Sequence, residues 1–286
     1  MKRKQHFLEE DPILYLVATP IGNLQEFSSR AIETLQSCDY IGCEDTRTSG
    51  TLFQKFAIHA SLVSCHEHNE NDASDTLIHH LLEGKKVAYV SDAGYPGISD
   101  PGHRLVKKAL ENDISVSVIS GSCAFLPALI GSGLDCDHFY FHGFLASKES
   151  ARKNELQELR TRKETLIFYE SPHRIHTTLE NMLSVFENRK ACIARELTKI
   201  HEEYIRGSLE ELCNIDPKTL KGEMVLIVEG NQKEQEAILG DEEIIRYVKS
   251  LTDMGVSTKD AIQNAARSLN ISKNYVYQLI HREKGA

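Results

Sequence analysis

Two aspartates, Asp92 and Asp100, stand in the segment DAGYPGISDPG (92–102), where Gly94, Gly97, Gly102, Pro96 and Pro101 fall within nine residues. Glycine and proline at this density fix backbone angles and let another molecule approach the main chain closely. Other glycine, proline or polar loops are PIGNL (20–24), GSC (121–123) and ESPHR (170–174), and ARELTK (194–199) carries further charged groups. Between them they offer groups able to accept a proton, Asp100, Glu170, His173 and Glu196, and cations able to hold an anion, Arg174, Arg195 and Lys199. Each also has a structural reading. Asp92 and Asp100 can cap a helix starting near Gly102 or close Asx turns. Glu170 and Arg174, four residues apart, can form an ion pair, and His173 a polar contact at a helix start. Asp45 and Arg47 in EDTR suit either a stabilising pair or a substrate-side contact. CHEH (65–68) has metal-binding residue types but no second ligand pair at zinc spacing, so it reads as a strand-end loop. No G-x-x-x-x-G-K-[ST] and no G-x-G-x-x-G occurs, and GSG (131–133) reads as a turn, so phosphate cradling is not the theme.

Short apolar runs alternate with amphipathic stretches and position these loops. Strands are expected at 13–19, 39–42, 61–64, 86–90 and 114–120, and helices at 28–36 with Ser28 as cap, 48–56, 74–83 with Gly84 closing it, and 102–112. Repeated βαβ units imply a parallel sheet between helices, and in such sheets ligands bind at the carboxyl ends of the strands. After Gly121 the rhythm shifts. Helices are expected at 124–132, 145–162, 175–186 and 208–213, and strands at 138–143, 166–169, 192–195, 203–206 and 224–229. Residues 1–122 therefore read as one α/β domain, 123–232 as a second, and 240–286 as a small helical region.

The tail pattern VSTKDAIQNAARSLNISKNYVYQLI reads as two helices around a turn at 270–272, a helix-turn-helix shape. From 244 to the end, seven basic residues face three acidic ones. Nucleic-acid contact and a plain helical cap fit this equally well. Residues 151–163 read as a basic helix, a local cationic surface on a chain of net charge −9.

With 286 residues, 41% hydrophobic and 26% charged, the chain has the length of about two domains and the composition of an ordinary globular protein. No run reaches the roughly 20 apolar residues of a membrane span. The N-terminus lacks the apolar stretch of a secretory signal, which points to the cytoplasm. Seven cysteines, odd in number and never spaced C-x-x-C, read as reduced thiols, and no metal is expected.

LYLVATPIGNL (14–24), EDTR (44–47), HEHN (66–69), VSDAGYPGISDPG (90–102), IFYESPHR (167–174), ARELTKIHEE (194–203) and KGEMVLIVEG (221–230) occur in unbroken order. Together they resemble the bacterial ribosomal RNA small subunit methyltransferase I family of the tetrapyrrole methylase-like superfamily. The resemblance spans about residues 13–230, and the tail is similar to that family's helical appendix. It implies two α/β domains of the tetrapyrrole methylase type, the first with a parallel sheet and the second with a mixed one. It further implies S-adenosylmethionine-dependent 2′-O-methylation of a cytidine ribose in the decoding region of 16S rRNA, free or in the assembled small subunit, by a homodimer. The donor-binding residues would be Pro20, Gly94, Tyr95, Pro96, Ile98, Ser99, Cys123, Ala124, Tyr169 and Glu223. Asp100, Glu170, His173 and Glu196 would be the candidate bases, and Arg174, Arg195 and Lys199 the phosphate clamps. Tyr95 stands where that branch more often has threonine or another residue. Cys123 ends a triplet usually written glycine-proline-serine. A methyltransferase of the same fold acting on a small tetrapyrrole, and a non-enzymatic RNA-binding ribosome-assembly protein, are the alternatives.

Overall fold

The structure, a computed structural model, describes residues 12–232, 241–269 and 271–283. The N-terminal segment before residue 12, Asn270 of the expected turn and Lys284 lie outside them. The chain folds as two compact units, Met1–Asn231 and Gln232–Ala286.

Two sheets make up the first unit. β1 (Ile13–Val17), β2 (Tyr40–Cys43), β3 (Ser61–Ser64), β4 (Val87–Val90) and β5 (Ser115–Ile119) alternate with α1 (Ser29–Gln36), α2 (Thr46–Lys55), α3 (Glu70–Leu82) and α4 (His103–Glu111). The strands pair all in parallel in the order β3-β2-β4-β1-β5. Central β4 reads VAYV and is buried at every residue, as a strand covered on both faces must be. Leu77, Leu81, Tyr89 and Leu105 form a core on one face, and Leu35, Ile41, Phe53 and Ile119 one on the other. Ser28 caps α1 by accepting the Ala31 N–H at 3.1 Å, as its type and place predict.

The second sheet follows. α5 (Phe125–Ser132), β6 (Phe139–Phe144), α6 (Glu149–Leu159), β7 (Thr165–Glu170), α7 (Ile175–Phe186), β8 (Lys190–Arg195), β9 (Glu203–Ser208), α8 (Leu209–Cys213) and β10 (Met224–Val228) succeed one another. The strand order is β6-β7-β10-β8-β9, parallel only between β6 and β7. Phe168, Leu179 and Leu226 belong to one core of this sheet, and α5 brings Ala128 and Leu129 to the other.

One expected helix is shorter than its sequence pattern. The run 145–162 is helical only from Glu149 to Leu159. Arg174 Nη2 donates to the carbonyls of Leu145 (2.8 Å) and Ala146 (3.2 Å), and Arg152 Nη1 to that of Ser147 (3.2 Å). Those carbonyls are thereby taken out of any helix. Four of the cations of the expected basic helix are engaged by partners of their own. Arg152 is buried with its Nε on Asn181, Lys153 pairs with Glu149, Arg160 with Glu187, and Arg162 with Glu164 while lying over the Tyr140 ring.

The second unit is a bundle of α9 (Asp241–Asp253), α10 (Thr258–Ser268) and α11 (Lys273–Glu283), closed by Ile244, Val248, Ile262, Ala265, Val276 and Ile280. Ser257 caps α10 by accepting the Asp260 N–H at 3.2 Å. The tail's charge excess belongs to where the segment is cut. The first turn of α9 carries Asp241, Glu242 and Glu243. From residue 241 onward seven basic residues therefore face six acidic ones.

Candidate active site

A cavity of about 580 Å³ opens in the first unit where loops of the two sheets meet. That is within the range of sites for a small organic ligand. One wall comes from the loops after β1, β4 and β5, the other from β7, β8, β10 and their loops.

The first wall is knitted by backbone. Thr19 and Gly94 exchange main-chain bonds, Thr19 N–H to Gly94 O at 2.9 Å and Gly94 N–H to Thr19 O at 3.0 Å. Gly94 sits at φ +78°, a conformation that L side chains rarely adopt. The Gly121 N–H donates to the Tyr95 hydroxyl at 3.0 Å, tying the loop after β4 to the loop after β5. Glu70, buried on α3, accepts the Gly102 N–H at 3.0 Å and anchors the far end of the loop. The result is a preset surface of backbone and small side chains. At its rim, Ser99 Oγ stands 3.0 Å from where a Cβ on Gly143 would be, so the β4 loop reaches the bulge in β6 and meets the second wall.

Asp100 is the electrostatic exception on this wall. Burial first, and then the charges of Glu44 and Asp92, raise its carboxyl to a pKa of about 6, against the opposing effect of a hydrogen bond from Ser91. The pairing of β2 with β4 causes this, because it places Glu44, just after β2, beside Asp92, just after β4. Burial and Asp92 raise the Glu44 pKa as well.

Ion pairs and aromatic rings fill the second wall. Glu170 ends β7 with its side chain only 1% exposed. Its Oε1 accepts the Ser171 N–H at 2.8 Å and its Oε2 the Thr178 hydroxyl at 2.6 Å, while Arg174 Nε lies 3.4 Å from Oε1. Both oxygens are thus bound to the turn into α7. Glu196, at φ +50°, holds Lys199 Nζ at 3.0 Å, and Glu223 approaches the same ammonium at 3.4 Å. The hydrogen bond from Lys199 keeps the Glu196 carboxyl below its usual range. Burial pulls the Lys199 ammonium down, but the two carboxylates outweigh it and its pKa is raised. Gly222, at φ +80°, leaves room for the Glu196 carboxylate in this position, which a Cβ there would displace. Tyr169 packs edge-on against Phe141 at 5.1 Å and beside Phe144 at 5.5 Å, and burial raises its hydroxyl pKa.

Of the residues singled out in the sequence, the cavity is lined by Asp92, Gly94, Tyr95, Ile98, Ser99, Asp100, Cys123, Ala124, Tyr169, Glu170, Glu196, Lys199 and Glu223. Pro20 lies instead in a smaller neighbouring cavity. Pro96 and His173 do not line the large one, and His173 is exposed on the turn before α7. Arg174 and Arg195 do not line it either. Arg174 holds the carbonyls of residues 145 and 146, and Arg195 holds Glu203 at 2.6 Å and the Lys221 carbonyl at 3.2 Å. These contacts fix loops. No group of three or more His, Cys, Asp and Glu among the described residues is placed to hold a metal ion.

The sequence matches the family Tetrapyrrole (Corrin/Porphyrin) Methylases over residues 13–213. It is 44% identical to the ribosomal RNA small subunit methyltransferase I of Halalkalibacterium halodurans over 293 aligned residues, covering 99% of this chain and 100% of that one. The chain belongs to the ribosomal RNA small subunit methyltransferase I family. The Bacillus subtilis relative is 41% identical over 278 residues, covering 94% of each chain. Among solved structures, the methyltransferase CobJ superposes with a TM-score of 0.58 over 78% of this chain and 96% of its own, at 17% identity, and so shares the fold.

In this methyltransferase I family member, sequence reasoning missed Ile21, Ala93, Phe144, Ser171, Pro172, Ala194, Leu197, Gly222, Met224 and Val225 as cavity residues. Ile21 lay inside the flagged PIGNL loop and Pro172 inside ESPHR, so those two carried a signal. Met224 and Val225 open an apolar strand and read locally as core. They reach the cavity only because β10 pairs between β7 and β8.

Proposed function

We propose that this chain methylates the ribose 2′-hydroxyl of a cytidine in the decoding region of 16S rRNA, with S-adenosylmethionine as donor, acting as a cytoplasmic homodimer. The name shared by its close relatives supports ribosomal RNA as the class of substrate. The observation that carries the chemistry is Asp100, a carboxyl on the cavity wall with a pKa of about 6.

The residues present fit the donor. Tyr169, Phe144, Ile98 and Val225 give an apolar and aromatic wall, the 92–100 loop exposes backbone, and Glu196, Glu223 and Lys199 offer charges of both signs to an amino-acid head group. When bound, S-adenosylmethionine supplies an electrophilic methyl group. A ribose hydroxyl is a poor nucleophile unless its proton is taken up as the new bond forms. Asp100 is ionised above pH 6, and like charges rather than a cation surround it, so it is the group suited to hold that proton. Glu170 and Glu196 already bind donors of their own. The remainder of the rate comes from positioning on a preset loop surface.

The test uses small subunits from a strain lacking this activity, incubated with the protein and methyl-labelled donor, followed by mapping of the modified ribose. Label on one cytidine ribose of 16S rRNA is expected. Absence of label from the small-subunit RNA overturns the reading, and label on another nucleotide corrects its specificity.

A further inference from the structure

Beside the large cavity lies a smaller one of about 210 Å³ that the chemistry above does not use. Pro20, Gly22 and the partly exposed Leu24 form one side, while Thr48, Thr51 and Lys55 of α2 form the other. These α2 positions are three and four residues apart, hence on one helix face, and all three are exposed. The two cavities share a boundary. Ile21 lines the large one while its neighbours Pro20 and Gly22 line the small one, and Asp92 lines both. Asp92 is held there by accepting the Asp45 N–H at 3.3 Å.

We infer that the small cavity is the subsite for the acceptor nucleoside of an RNA strand, with Asp92 at the doorway to the methyl-donor cavity. The inference rests on the proposed function for the identity of the larger cavity. Free small-molecule sites run from about 300 to 1,000 Å³, so a cavity of 210 Å³ has room for no more than one unit of a larger ligand. The lining matches a splayed-out ribonucleotide. Pro20 and Leu24 give a base an apolar face, the Thr48 and Thr51 hydroxyls can bond its edge or sugar, and Lys55 is placed for a phosphate. A nucleoside held there lies against Asp92, on the boundary with the larger cavity.

The test uses the full-length protein with two variants at exposed positions, Thr51→Trp to plug the cavity and Lys55→Glu to reverse its charge. Donor binding by calorimetry and methylation of small-subunit RNA are measured together, with a thermal melt to confirm folding. Donor affinity within about twofold of the parent is expected for both. Thr51→Trp lowers kcat/KM for RNA at least about tenfold, and Lys55→Glu raises the KM for RNA and lowers its salt slope by about one. Parental kcat/KM for RNA in both variants overturns the inference and leaves the larger site untouched. A parent that binds no donor or transfers no methyl overturns the reading of the larger cavity, and this inference falls with it.

Discussion

Asp100 and Glu170 face one cavity from opposite walls and are held in opposite ways. Glu170 is the more deeply buried, yet Ser171, Thr178 and Arg174 surround its carboxylate with donors and a cation. Asp100 meets Asp92 and Glu44, which share its sign. A buried carboxylate supplied with donors stabilises a turn. One that burial desolvates and that is also kept among like charges holds a proton more tightly and is poised for proton transfer near neutral pH. The difference extends along both walls: Glu196 and Glu223 share Lys199 on the second, while on the first the carboxylates crowd one another.

The largest effect that tests this contrast is loss of the Asp100 charge. Asp100→Asn keeps the side chain's shape and removes the proton acceptor, so methyl transfer is expected to fall by about 100-fold or more while donor affinity stays within about twofold. The pH profile gives the sign. Asp100 is protonated below its pKa of about 6, so parental kcat/KM falls as pH drops through 6, and the variant's residual rate lacks that limb. A variant that keeps parental activity removes the functional half of the contrast.

Next in size is Glu170→Ala. The Thr178 hydroxyl and Ser171 N–H lose their acceptor and Arg174 its ion partner, so unfolding free energy is expected to drop by about 2–3 kcal/mol. Denaturant titration measures it. The activity of the fraction still folded stays within a few-fold of the parent, and a hundredfold loss there places Glu170 in the chemistry and erases the difference between the walls.

Much of this contrast was legible in the chain. The alternation of apolar runs placed the strands of the first sheet within two residues, and the helix at 175–186 without error, because each pattern is local. Segment 92–102 announced itself through its glycines and prolines. The division between carboxylates was hidden, since it depends on which strands become neighbours. Glu44 meets Asp92 through the β2-β4 pairing, and Thr178 meets Glu170 across one turn of loop and one of helix. The pairing of Arg174 with Glu170 was legible from their four-residue spacing, but the carbonyls that hold Arg174 and Arg195, at 145, 146 and 221, carry no mark in a sequence.

The smallest effect lies within the first wall and asks how far its backbone depends on one side chain. The Tyr95 hydroxyl accepts the Gly121 N–H, and Gly121 itself packs on Ala18 just after β1, where an added Cβ would stand 3.0 Å from the Ala18 side chain. Tyr95→Phe keeps the ring in the cavity and removes only that acceptor. A neutral hydrogen bond at a partly exposed site contributes about 1 kcal/mol, so the donor Kd is expected to rise roughly three- to tenfold, with kcat nearly unchanged once donor saturates. Calorimetry with S-adenosylmethionine measures it. An unchanged Kd means that the Thr19–Gly94 exchange and the Glu70 anchor set the loop without the Tyr95 hydroxyl. The first wall would then owe its shape to backbone pairing, as the second owes its own to ion pairs.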